Sequence, residues 1–559
     1  MRSEDGRDGS SQSSNVLIIY CVGALMNRDA SLESVQSSDR PWDVIIIGGG
    51  ATGLGAAVDS ASRGYRTLVL EQCDFAKGTS GRSTKLVHGG VRYLQQGNVA
   101  LVLEALRERG RLIENAPHLV HNRQFVLPAY AWWERPFYGA GLKLYDLLSG
   151  RRSLGKSRIL SKAQTLEMLP GITDEGLRGG IAYYDGQFDD ARLAIALART
   201  AADLGATIVN YVRVEGLLKT ERGIRGVSAL DLETGEGYEI PGRAMVNATG
   251  AFVDSVRRMD DPGTKNLVNP SQGIHIVLDR SFFPSESALL IPRTADGRVL
   301  FAVPWHDRVL LGTTDTPVEK VSLEPRPLAE EIDYLLTYAA RYFKRPPTRS
   351  DVLSTFAGLR PLVNPGDDSD TASISREHVV RISKSGLITV TGGKWTTYRK
   401  MAEDTIDEAI RVGKLADRRS ETAGLRLHGW QLPGPRPEPF DVYGADAPLL
   451  EKIVEEENRG QRLHPRLPYV HGEVIWATRY EMARTVEDVL SRRTRALMLD
   501  ADAALESAPV VAALMAHELG RNARWQDSQL REFRLLAGAY LPPAEKAERS
   551  ADSHEEISI

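Results

Sequence analysis

At 559 residues the chain is too long to bury a single hydrophobic core, so two or three domains are expected. Its 70 Lys and Arg residues nearly balance 74 Asp and Glu residues, giving a formal net charge of −4 without a polybasic block, which argues against nucleic acid as a partner. The two cysteines, Cys21 and Cys73, lack metal-ligand spacing, so we expect reduced thiols and no bound metal.

Residues 1–40 are rich in Ser and in charged residues, and we expect them to form a disordered extension. They contain one apolar run, Val16 to Met26, which is shorter than the roughly 20 residues that span a bilayer. A secretory signal is less favoured, because acidic residues balance Arg2 and Arg7 ahead of the run and no small-residue cleavage site follows it. A start of translation at Met26 is a further alternative.

A βαβ unit is predicted from Trp42 to Gln72, where two short apolar strands flank a small-residue helix. The turn after the first strand has the spacing Gly48-x-Gly50-x-x-Gly53. The first glycine permits the tight turn, the second lets backbone approach a pyrophosphate, and the third lets the helix pack close to the sheet. Glu71 ends the second strand and can accept ribose hydroxyls. The pattern predicts a dinucleotide site at a helix N-terminus, and by itself it allows NAD or FAD.

The segment that follows, residues 73–95, is rich in Gly, Ser and Thr, so we expect a structured loop whose backbone approaches a ligand. Its hydroxyls and amides can satisfy phosphates or the edge of a ring. Arg82 and Lys85 are each also explained as solvated loop charges. Arg92, which precedes Tyr93, is less easily explained in that way.

An aromatic cluster around Arg135 follows an amphipathic helix that is predicted over Val99 to Ala116. Its members are Trp132, Trp133, Phe137 and Tyr138. Clustered aromatic and basic side chains occur at membrane interfaces and quinone sites, but they more often pack between domains. We therefore favour a packed inter-domain surface and keep membrane contact as the alternative.

Later strands are expected to complete the first domain. Ala244 to Gly250 is a buried strand that ends in a small-residue turn, as in dinucleotide-binding domains that close over their cofactor, and its return after an insertion predicts a discontinuous domain. Residues 270–320 alternate between apolar and polar, which indicates a large antiparallel sheet. His275 lies in one of its strands and is expected to be a core residue unless the sheet faces the cofactor.

A second glycine turn, Gly392-Gly393, separates a strand from Lys394 and a helix, so another helix N-terminus is expected to point at the ligand. Beyond about residue 411 the composition changes, and we predict a helical domain over residues 411–541. Residues 542–559 are charged and are expected to be disordered.

Local signals mark two helices of the C-terminal domain. Thr485-x-x-Asp488 forms a capping box at the start of one, and Pro509 is expected to start another that stops at Gly520. A basic run in the first of them is expected to lie on a solvated helical face: Arg492, Arg493 and Arg495.

Taken in order, these segments resemble the FAD-dependent glycerol-3-phosphate dehydrogenases, quinone-linked enzymes of the D-amino-acid-oxidase-like flavoprotein group. The resemblance covers roughly residues 42–540 through the motifs IIIGGGATGLG, STKLVHGGVRYL, YYDGQFDDARL, NATGAFVDS, VPWHDRVLLGTTDTP, GLRPLV, SREH, TGGKWTTYRKMAED and ARTVEDVLSRRTRALMLDA. So long an ordered series is more specific than the glycine fingerprint alone.

The resemblance implies an α/β fold with a discontinuous Rossmann-like FAD-binding domain, an antiparallel β-sheet substrate domain and a C-terminal α-helical domain. The oxidoreductase region is expected over residues 41–410. Within it, we expect the substrate domain to be inserted at about residues 120–190 and 255–385.

The resemblance also implies that the dinucleotide is FAD and assigns residues to it. The expected cofactor-binding residues are Gly48, Gly50, Gly53, Glu71, Thr79, Ser80, Ser83, Lys85, His88, Gly89, Gly90, Val214, Thr249, Gly250, Gly392, Gly393, Lys394 and Thr396. The expected substrate site comprises Arg92, Tyr93, His275, Arg360, Arg376 and Lys394. Arginines suit a phosphorylated substrate, because a guanidinium group binds phosphate with two parallel hydrogen bonds.

The implied reaction is the oxidation of sn-glycerol 3-phosphate to dihydroxyacetone phosphate, with hydride passing from C2 to flavin N5 and electrons then passing to a membrane quinone. The expected catalytic set is His275 as the candidate base, Lys394 as a stabiliser of developing charge and Arg360 as the phosphate ligand. The paired acidic calcium loops of the mitochondrial relatives are missing. We therefore expect a cytoplasmic homodimer, peripherally attached to the inner face of the cytoplasmic membrane.

Three alternatives remain. A glycerol-3-phosphate oxidase would share the fold and pass electrons to oxygen. An amine or amino-acid oxidase of the same group would need fewer arginines around the flavin. From another class, a nucleotide-binding or scaffolding module would show no flavin reduction by any polyol phosphate.

Overall fold

The computed structural model describes residues 26–90, 98–292, 294, 297–364, 378–432, 434 and 438–542. Its strands are β1 (Trp42–Ile47), β2 (Thr67–Leu70), β3 (Leu86–Val87), β4 (Val120–Ala129), β5 (Arg158–Leu160), β6 (Gly179–Phe188), β7 (Thr207–Val209), β8 (Val212–Thr220), β9 (Gly223–Asp231), β10 (Gly237–Asn247), β11 (Val268–Asp279), β12 (Ala288–Ile291), β13 (Leu300–Trp305), β14 (Arg308–Gly312), β15 (Thr316–Pro317), β16 (Val352–Val363), β17 (His378–Ile382) and β18 (Leu387–Gly392).

The helices are distributed over the whole described chain. They are α1 (Arg28–Gln36), α2 (Ala51–Ser62), α3 (Val99–Asn115), α4 (Glu134–Ser149), α5 (Lys162–Met168), α6 (Asp190–Asp203), α7 (Val253–Asp260), α8 (Ala329–Tyr342), α9 (Tyr398–Gly413), α10 (Ala447–Glu456), α11 (His471–Tyr480), α12 (Ala496–Leu499), α13 (Ala501–Leu519) and α14 (Ala523–Gly538).

The first sheet has the strand order β17-β18-β10-β1-β2-β7, and β8 and β9 form a hairpin beside β10. The pairs β18–β10, β10–β1, β1–β2 and β2–β7 are parallel. Val44, Ile45 and Ile46 in the centre are fully buried, as expected for a parallel strand that is covered on both faces. Helix α2 packs against both α6 and α9. The predicted Rossmann-like, discontinuous α/β domain is confirmed, since β10 and β18 return to pair in the sheet that β1 begins.

The second sheet runs β15-β11-β14-β13-β12-β4-β6-β3, with β16 beside β11 and β5 beside β6. Most of its pairs are antiparallel, and the long β11–β16 ladder places His275 opposite Phe356 and Ser271 opposite Arg360. The large antiparallel sheet expected from the alternating residues 270–320 is therefore present. It contributes one wall of the cavity described below.

The expected disorder of residues 1–40 is wrong for residues 28–36, which form helix α1. Asn27 caps this helix by accepting the N–H of Ala30. Arg28 is buried and donates to the carboxylate of Asp231 at 2.6 Å, which fixes the helix against the β8–β9 hairpin. Composition alone missed this helix, because its stabilising partner lies about 200 residues away. Residues 1–25, including Cys21 and most of the Val16–Met26 run, lie outside the described residues.

The C-terminal helices pack on one another and on β16 of the second sheet. The capping box is confirmed: Asp488 accepts the N–H of Thr485 at 3.0 Å, and the N–H of Asp488 donates to the Thr485 hydroxyl at 3.2 Å. Gly520 ends α13 in the left-handed conformation, as predicted. The expectation that Pro509 starts a helix is wrong, because it lies within α13.

The prediction of a solvated face for the basic run is also wrong. Arg492, Arg493 and Arg495 are almost completely buried, in and just after a π-helical turn (Asp488–Arg493). Asp74, which follows β2, accepts from both Arg492 and Arg493, and Arg495 pairs with Asp189 at 2.8 Å. The Asp74 pairs join the C-terminal domain to the loop that follows β2, and the Asp189 pair joins it to the start of α6.

Candidate active site

A cavity of about 1680 Å³ lies between the carboxyl ends of the parallel strands and the second sheet. Its first wall is made by the turns that follow β1, β2, β10 and β18, and its second wall includes residues of β11 and β16. Open α/β sheets bind ligands at the carboxyl ends of their strands. The cavity is therefore the candidate active site.

The first glycine turn has the geometry that its spacing predicts. Gly48 has φ +108°, and a Cβ there would lie 2.8 Å from the carbonyl oxygen of Ala248. A Cβ on Gly53 would lie 1.9 Å from the carbonyl oxygen of Gly48, so α2 packs directly on the turn. Gly50 precedes α2 and provides no side-chain cap. Backbone N–H groups at this helix start are thus directed at the cavity, which suits a phosphate.

Glu71 is oriented by backbone. One carboxylate oxygen accepts the N–H of Gly49 at 2.5 Å and the other accepts the N–H of Cys73 at 2.8 Å. Burial raises the pKa of Glu71 above its ordinary value, against the lowering effect of these two hydrogen bonds. The Glu71 side chain lines the cavity beside the position that a ribose would occupy if the turn held a pyrophosphate.

The second glycine turn also reaches the cavity. Gly392 and Gly393 have φ +79° and +69°, and Lys394 precedes a single 3₁₀ turn that continues into α9. The indole N–H of Trp395 donates to the carbonyl of Ser80, and the N–H of His88 donates to the Thr396 hydroxyl at 3.3 Å. These hydrogen bonds tie the second turn to the loop after β2, so both turns form one continuous surface.

Lys85 is not placed as expected. Its ammonium group is fully buried, lies 2.7 Å from both carboxylate oxygens of Asp190 and donates to the carbonyl of Gly81. All three N–H donors of Lys85 can be satisfied by these partners. It anchors the loop to α6 and does not line the cavity, and the loop hydroxyl of Ser83 binds the same carboxylate.

His275 lies in the cavity wall with its ring stacked on Phe356 at 4.9 Å between centroids. Its Nε2 atom is 2.9 Å from the hydroxyl of Thr84, and its Nδ1 atom has no hydrogen-bond partner among the described residues. Burial, followed by the charges of Lys85 and Arg360, holds the pKa of His275 well below its ordinary value. The imidazole is therefore neutral at physiological pH and keeps a lone pair on one ring nitrogen, while its lowered pKa weakens it as a base.

Arg360 faces the cavity from β16 and is held in place by the segment after β14. It donates to Asp315 at 3.1 Å, and to the hydroxyl of Thr313 and the carbonyl of Thr314, each at 3.0 Å. Asp315 also accepts a hydrogen bond from Ser271. The guanidinium is thus pre-oriented in a partly open position, which suits an anion.

The cavity brings together most of the predicted site residues. Those that line it are Gly48, Gly50, Glu71, Thr79, Ser80, Ser83, His88, Gly90, Thr249, Gly250, His275, Arg360, Gly392, Gly393, Lys394 and Thr396. Those that do not line it are Gly53, Lys85, Gly89 and Val214, of which the glycines act through packing and Val214 is buried in the core of the first domain. Arg92, Tyr93 and Arg376 lie outside the described residues.

Several lining residues were missed by the sequence analysis. Asp315 lies in the quoted motif VPWHDRVLLGTTDTP, and the acidic residue within that motif was the available signal. Asp185, in the motif YYDGQFDDARL, also lines the cavity although it is buried. No local signal pointed to the loop residues 322–325, three of which reach the cavity from between β15 and α8.

An apolar arm of the cavity is formed by aromatic and aliphatic side chains. It is lined by Phe125, Leu127, Trp133, Phe137, Tyr138, Tyr183, Leu290 and Phe301. Trp132 is 76% exposed, Trp133 45% and Phe137 56%, so the expected inter-domain packing is wrong for these three residues, whereas Tyr138 packs against the core of the second sheet. The start of α4 instead presents a surface beside the cavity that no described residue covers.

Comparison with known proteins agrees with this architecture. Residues 43–399 match the family described as FAD dependent oxidoreductase, and residues 438–529 match the C-terminal domain of alpha-glycerophosphate oxidase. The chain belongs to the FAD-dependent oxidoreductase family. It is 42% identical to the mitochondrial glycerol-3-phosphate dehydrogenase of Bos taurus over 93% of this chain and 76% of that protein. The human protein of the same name is also 42% identical, over 92% and 75%.

Among solved structures, the chain is similar to glycerol-3-phosphate dehydrogenase from Bacillus halodurans complexed with FAD. The TM-score is 0.76 and the identity 30%, over 94% of this chain and 100% of that one. The residues of the cavity fit this cofactor of the FAD-dependent family. Gly50 adds no side chain at the α2 N-terminus, where the Ser80 hydroxyl accepts the N–H of Ala51 at 2.9 Å, Glu71 is placed for the ribose, and the second glycine turn continues the same surface.

Substitution of Gly53 by alanine is expected to abolish stable FAD retention, weakening binding on the order of 100-fold, because the new Cβ has no room against the Gly48 carbonyl. The ratio of flavin absorbance to protein after gel filtration measures this. Gly538→Ala is the matched control, since a Cβ there meets nothing within 4 Å. Full flavin content in the Gly53 variant would contradict the assignment of this turn.

Proposed function

We propose that this chain oxidises sn-glycerol 3-phosphate to dihydroxyacetone phosphate with FAD as the hydride acceptor. The observation that carries the proposal is that Arg360 and His275 share a cavity with the glycine turns of an FAD-dependent oxidoreductase. The names of the relatives support the same substrate. A phosphorylated polyol needs one cationic group for its phosphate and one proton acceptor for the hydroxyl that becomes a carbonyl.

The described residues divide these tasks. Arg360 binds the phosphate, in a position that Asp315 and Thr313 hold for it. His275 accepts the hydroxyl proton, since it is neutral. A bound phosphate dianion would offset the charge of Arg360, which is one cause of the low pKa of His275, and would so make the imidazole a stronger base. Lys394, which directly follows the second glycine turn, stabilises negative charge that develops beside it.

FAD supplies the two-electron acceptor when it is bound, so substrate oxidation can be observed directly. Under anaerobic conditions, sn-glycerol 3-phosphate is expected to bleach the flavin absorbance of the purified protein within seconds, whereas unphosphorylated glycerol at the same concentration is expected to leave it unchanged. Stopped-flow absorbance measures both. A flavoprotein that neither compound reduces would overturn the proposal, and equal reduction by both would remove the role given to Arg360.

We propose that a membrane quinone receives the electrons. The apolar arm of the cavity suits an aromatic, isoprenoid-bearing acceptor better than it suits water, and it opens beside the exposed start of α4. Oxygen is the alternative acceptor, favoured by the C-terminal match to a glycerophosphate oxidase domain. Mixing the reduced enzyme with either a ubiquinone analogue or oxygen separates the two, since rapid peroxide formation would identify the oxidase.

The same surface supports peripheral membrane contact. Trp133, Phe137, Leu144 and Leu147 recur at helical spacing on one side of α4 and are exposed, with Lys143 beside them. Amphipathic helices with aromatic and basic residues lie at lipid interfaces. No helix among the described residues is long and apolar enough to cross a membrane. We place the protein, as a homodimer, at the inner face of the cytoplasmic membrane, although the curated relatives are mitochondrial proteins.

A further inference from the structure

Two hydroxyl groups bind the backbone of the loop His88–Gly90, that of Thr396 at His88 and that of Tyr145 at Gly89. The N–H of Gly89 donates to the hydroxyl of Tyr145 at 2.8 Å. Both neighbours of Gly89 line the cavity, and the main chain continues from Gly90 to Arg92 and Tyr93, predicted substrate residues. A Cβ on Gly89 would lie 2.4 Å from this hydroxyl oxygen, so the backbone rests directly on it. The position of the Tyr145 hydroxyl therefore limits how far the backbone of Gly89 can move away from the cavity.

The hydroxyl of Tyr145 has no freedom to turn. It donates to one carboxylate oxygen of Asp185 at 2.9 Å, and it accepts from Arg109 at 3.2 Å in addition to Gly89. One proton and two lone pairs are thereby all used. Arg109 closes the network through a 2.7 Å ion pair with the other oxygen of Asp185. All three residues are at least 98% buried, so water competes little for these hydrogen bonds.

The network also connects two walls of the cavity. Tyr145 lies on the buried side of α4, whereas Phe137 and Tyr138 of the same helix line the apolar arm. Asp185 lies on β6 and lines the cavity itself. A displacement of α4 is therefore transmitted to His88 and Gly90 through one rigid phenol ring.

We propose that Tyr145 is a positioning residue for the cofactor-binding loop His88–Gly90, held in its orientation by Asp185 and Arg109. The inference rests on the proposed FAD-dependent oxidation, and it assigns part of that function to a side chain outside the cavity lining. Tyr145 does not line the cavity, and its proposed effect passes through the backbone of Gly89.

The test is Tyr145→Phe, which removes the hydroxyl and keeps the ring. FAD is expected to bind the apoprotein 5- to 10-fold more weakly, and the rate constant for flavin reduction by substrate at saturation is expected to fall about tenfold. Titration of apoprotein with FAD, followed by flavin fluorescence, measures the first effect without substrate. Anaerobic stopped-flow absorbance measures the second. A Tyr145→Phe protein that keeps both wild-type values, with only a lower melting temperature, would make the network merely structural.

Two further variants sharpen the test. Tyr469→Phe is the matched control, because Tyr469 is a buried tyrosine whose hydroxyl has no partner among the described residues, and both constants should stay unchanged.

Arg109→Lys keeps a cation beside Asp185 but shortens the reach to Tyr145, so it should show the same defects at smaller amplitude even if the phenylalanine variant folds poorly. An Arg109→Lys protein with wild-type FAD affinity and a wild-type rate constant for flavin reduction would overturn the proposal. Failure of the wild type to be reduced by substrate would instead count against the proposed function, since the FAD titration is independent of it.

Discussion

Replacing Arg360 with alanine is expected to raise KM for sn-glycerol 3-phosphate on the order of 100-fold, because a hydrogen bond to a charged group contributes about 1.5–3 kcal/mol and each 1.4 kcal/mol is about tenfold in affinity. The change removes a guanidinium that Thr313, Thr314 and Asp315 orient toward the cavity. It also leaves the carboxylate of Asp315 facing the substrate phosphate, which adds repulsion. Steady-state kinetics with a quinone analogue as acceptor measures KM and kcat separately, and the larger change is expected in KM.

Controls distinguish loss of the phosphate contact from a general disturbance of the cavity. Arg345→Ala removes an exposed arginine whose nearest carboxylate, Asp351, is 3.9 Å away, and should leave KM unchanged. In the double variant Arg360→Ala/Asp315→Asn, part of the KM increase should be recovered, since the repulsive carboxylate is gone. An Arg360→Ala enzyme with wild-type KM would show that the phosphate binds elsewhere in the cavity.

Replacing Asp74 with asparagine is expected to lower the free energy of unfolding by about 3–5 kcal/mol, the usual cost of breaking a buried ion pair from one side. Asp74 accepts from Arg492 at 2.5 Å and from Arg493 at 2.6 Å, and both its own side chain and that of Arg493 are completely buried. The substitution removes the negative charge that the buried guanidinium groups of Arg492 and Arg493 share. Thermal or chaotrope-induced unfolding, followed by circular dichroism, measures the loss.

The charge state of Asp74 gives the same prediction a pH dependence. Burial alone would raise the pKa of Asp74, but Arg493 and Arg492 outweigh it and hold the pKa below its ordinary value. The stabilisation by the Asp74 ion pairs is therefore present above the ordinary pKa of aspartate and is lost only as the pH falls below it.

Glu408→Gln is the control for the Asp74 substitution, because Glu408 pairs with Arg411 on an exposed helix face and its loss should change the free energy of unfolding by less than about 0.5 kcal/mol. Equal stability of the two variants would contradict a structural role for the Asp74 pairs.

The parts of the fold that were predicted correctly depend on neighbours along the chain. Gly48, Gly50 and Gly53 are constrained by a turn of six residues, and Thr485 and Asp488 cap a helix over four. Strand alternation likewise reports which side of a strand is buried, so the large antiparallel sheet was predictable. Such signals can be read from a single sequence because the contact of Gly53 with Gly48 and the cap of Asp488 by Thr485 join residues at most five positions apart.

The parts that were wrong depend on distant partners. Arg493 is buried because Asp74 lies against it, 419 residues away, and the same sequence on an isolated helix would be solvated. Lys85 was assigned to the cofactor by the family resemblance, but it pairs with Asp190 and its side chain lies in the core. Trp132, Trp133 and Phe137 were expected to be covered, and they are exposed. Burial of a charge and exposure of an aromatic side chain are both decided by what packs against them.

By itself, the sequence determined the dinucleotide-binding turn, the second glycine turn and the strands that lead into both, because backbone sterics and local hydrogen bonds suffice for these. Only the tertiary structure decided that His275 and Arg360 share one cavity with those turns, that Asp315 orients the guanidinium, and that the Tyr145 hydroxyl supports the backbone of Gly89. Each of these contacts joins separate elements of the fold. Their geometry follows from how two sheets and their helices pack together, which no local pattern in the sequence records.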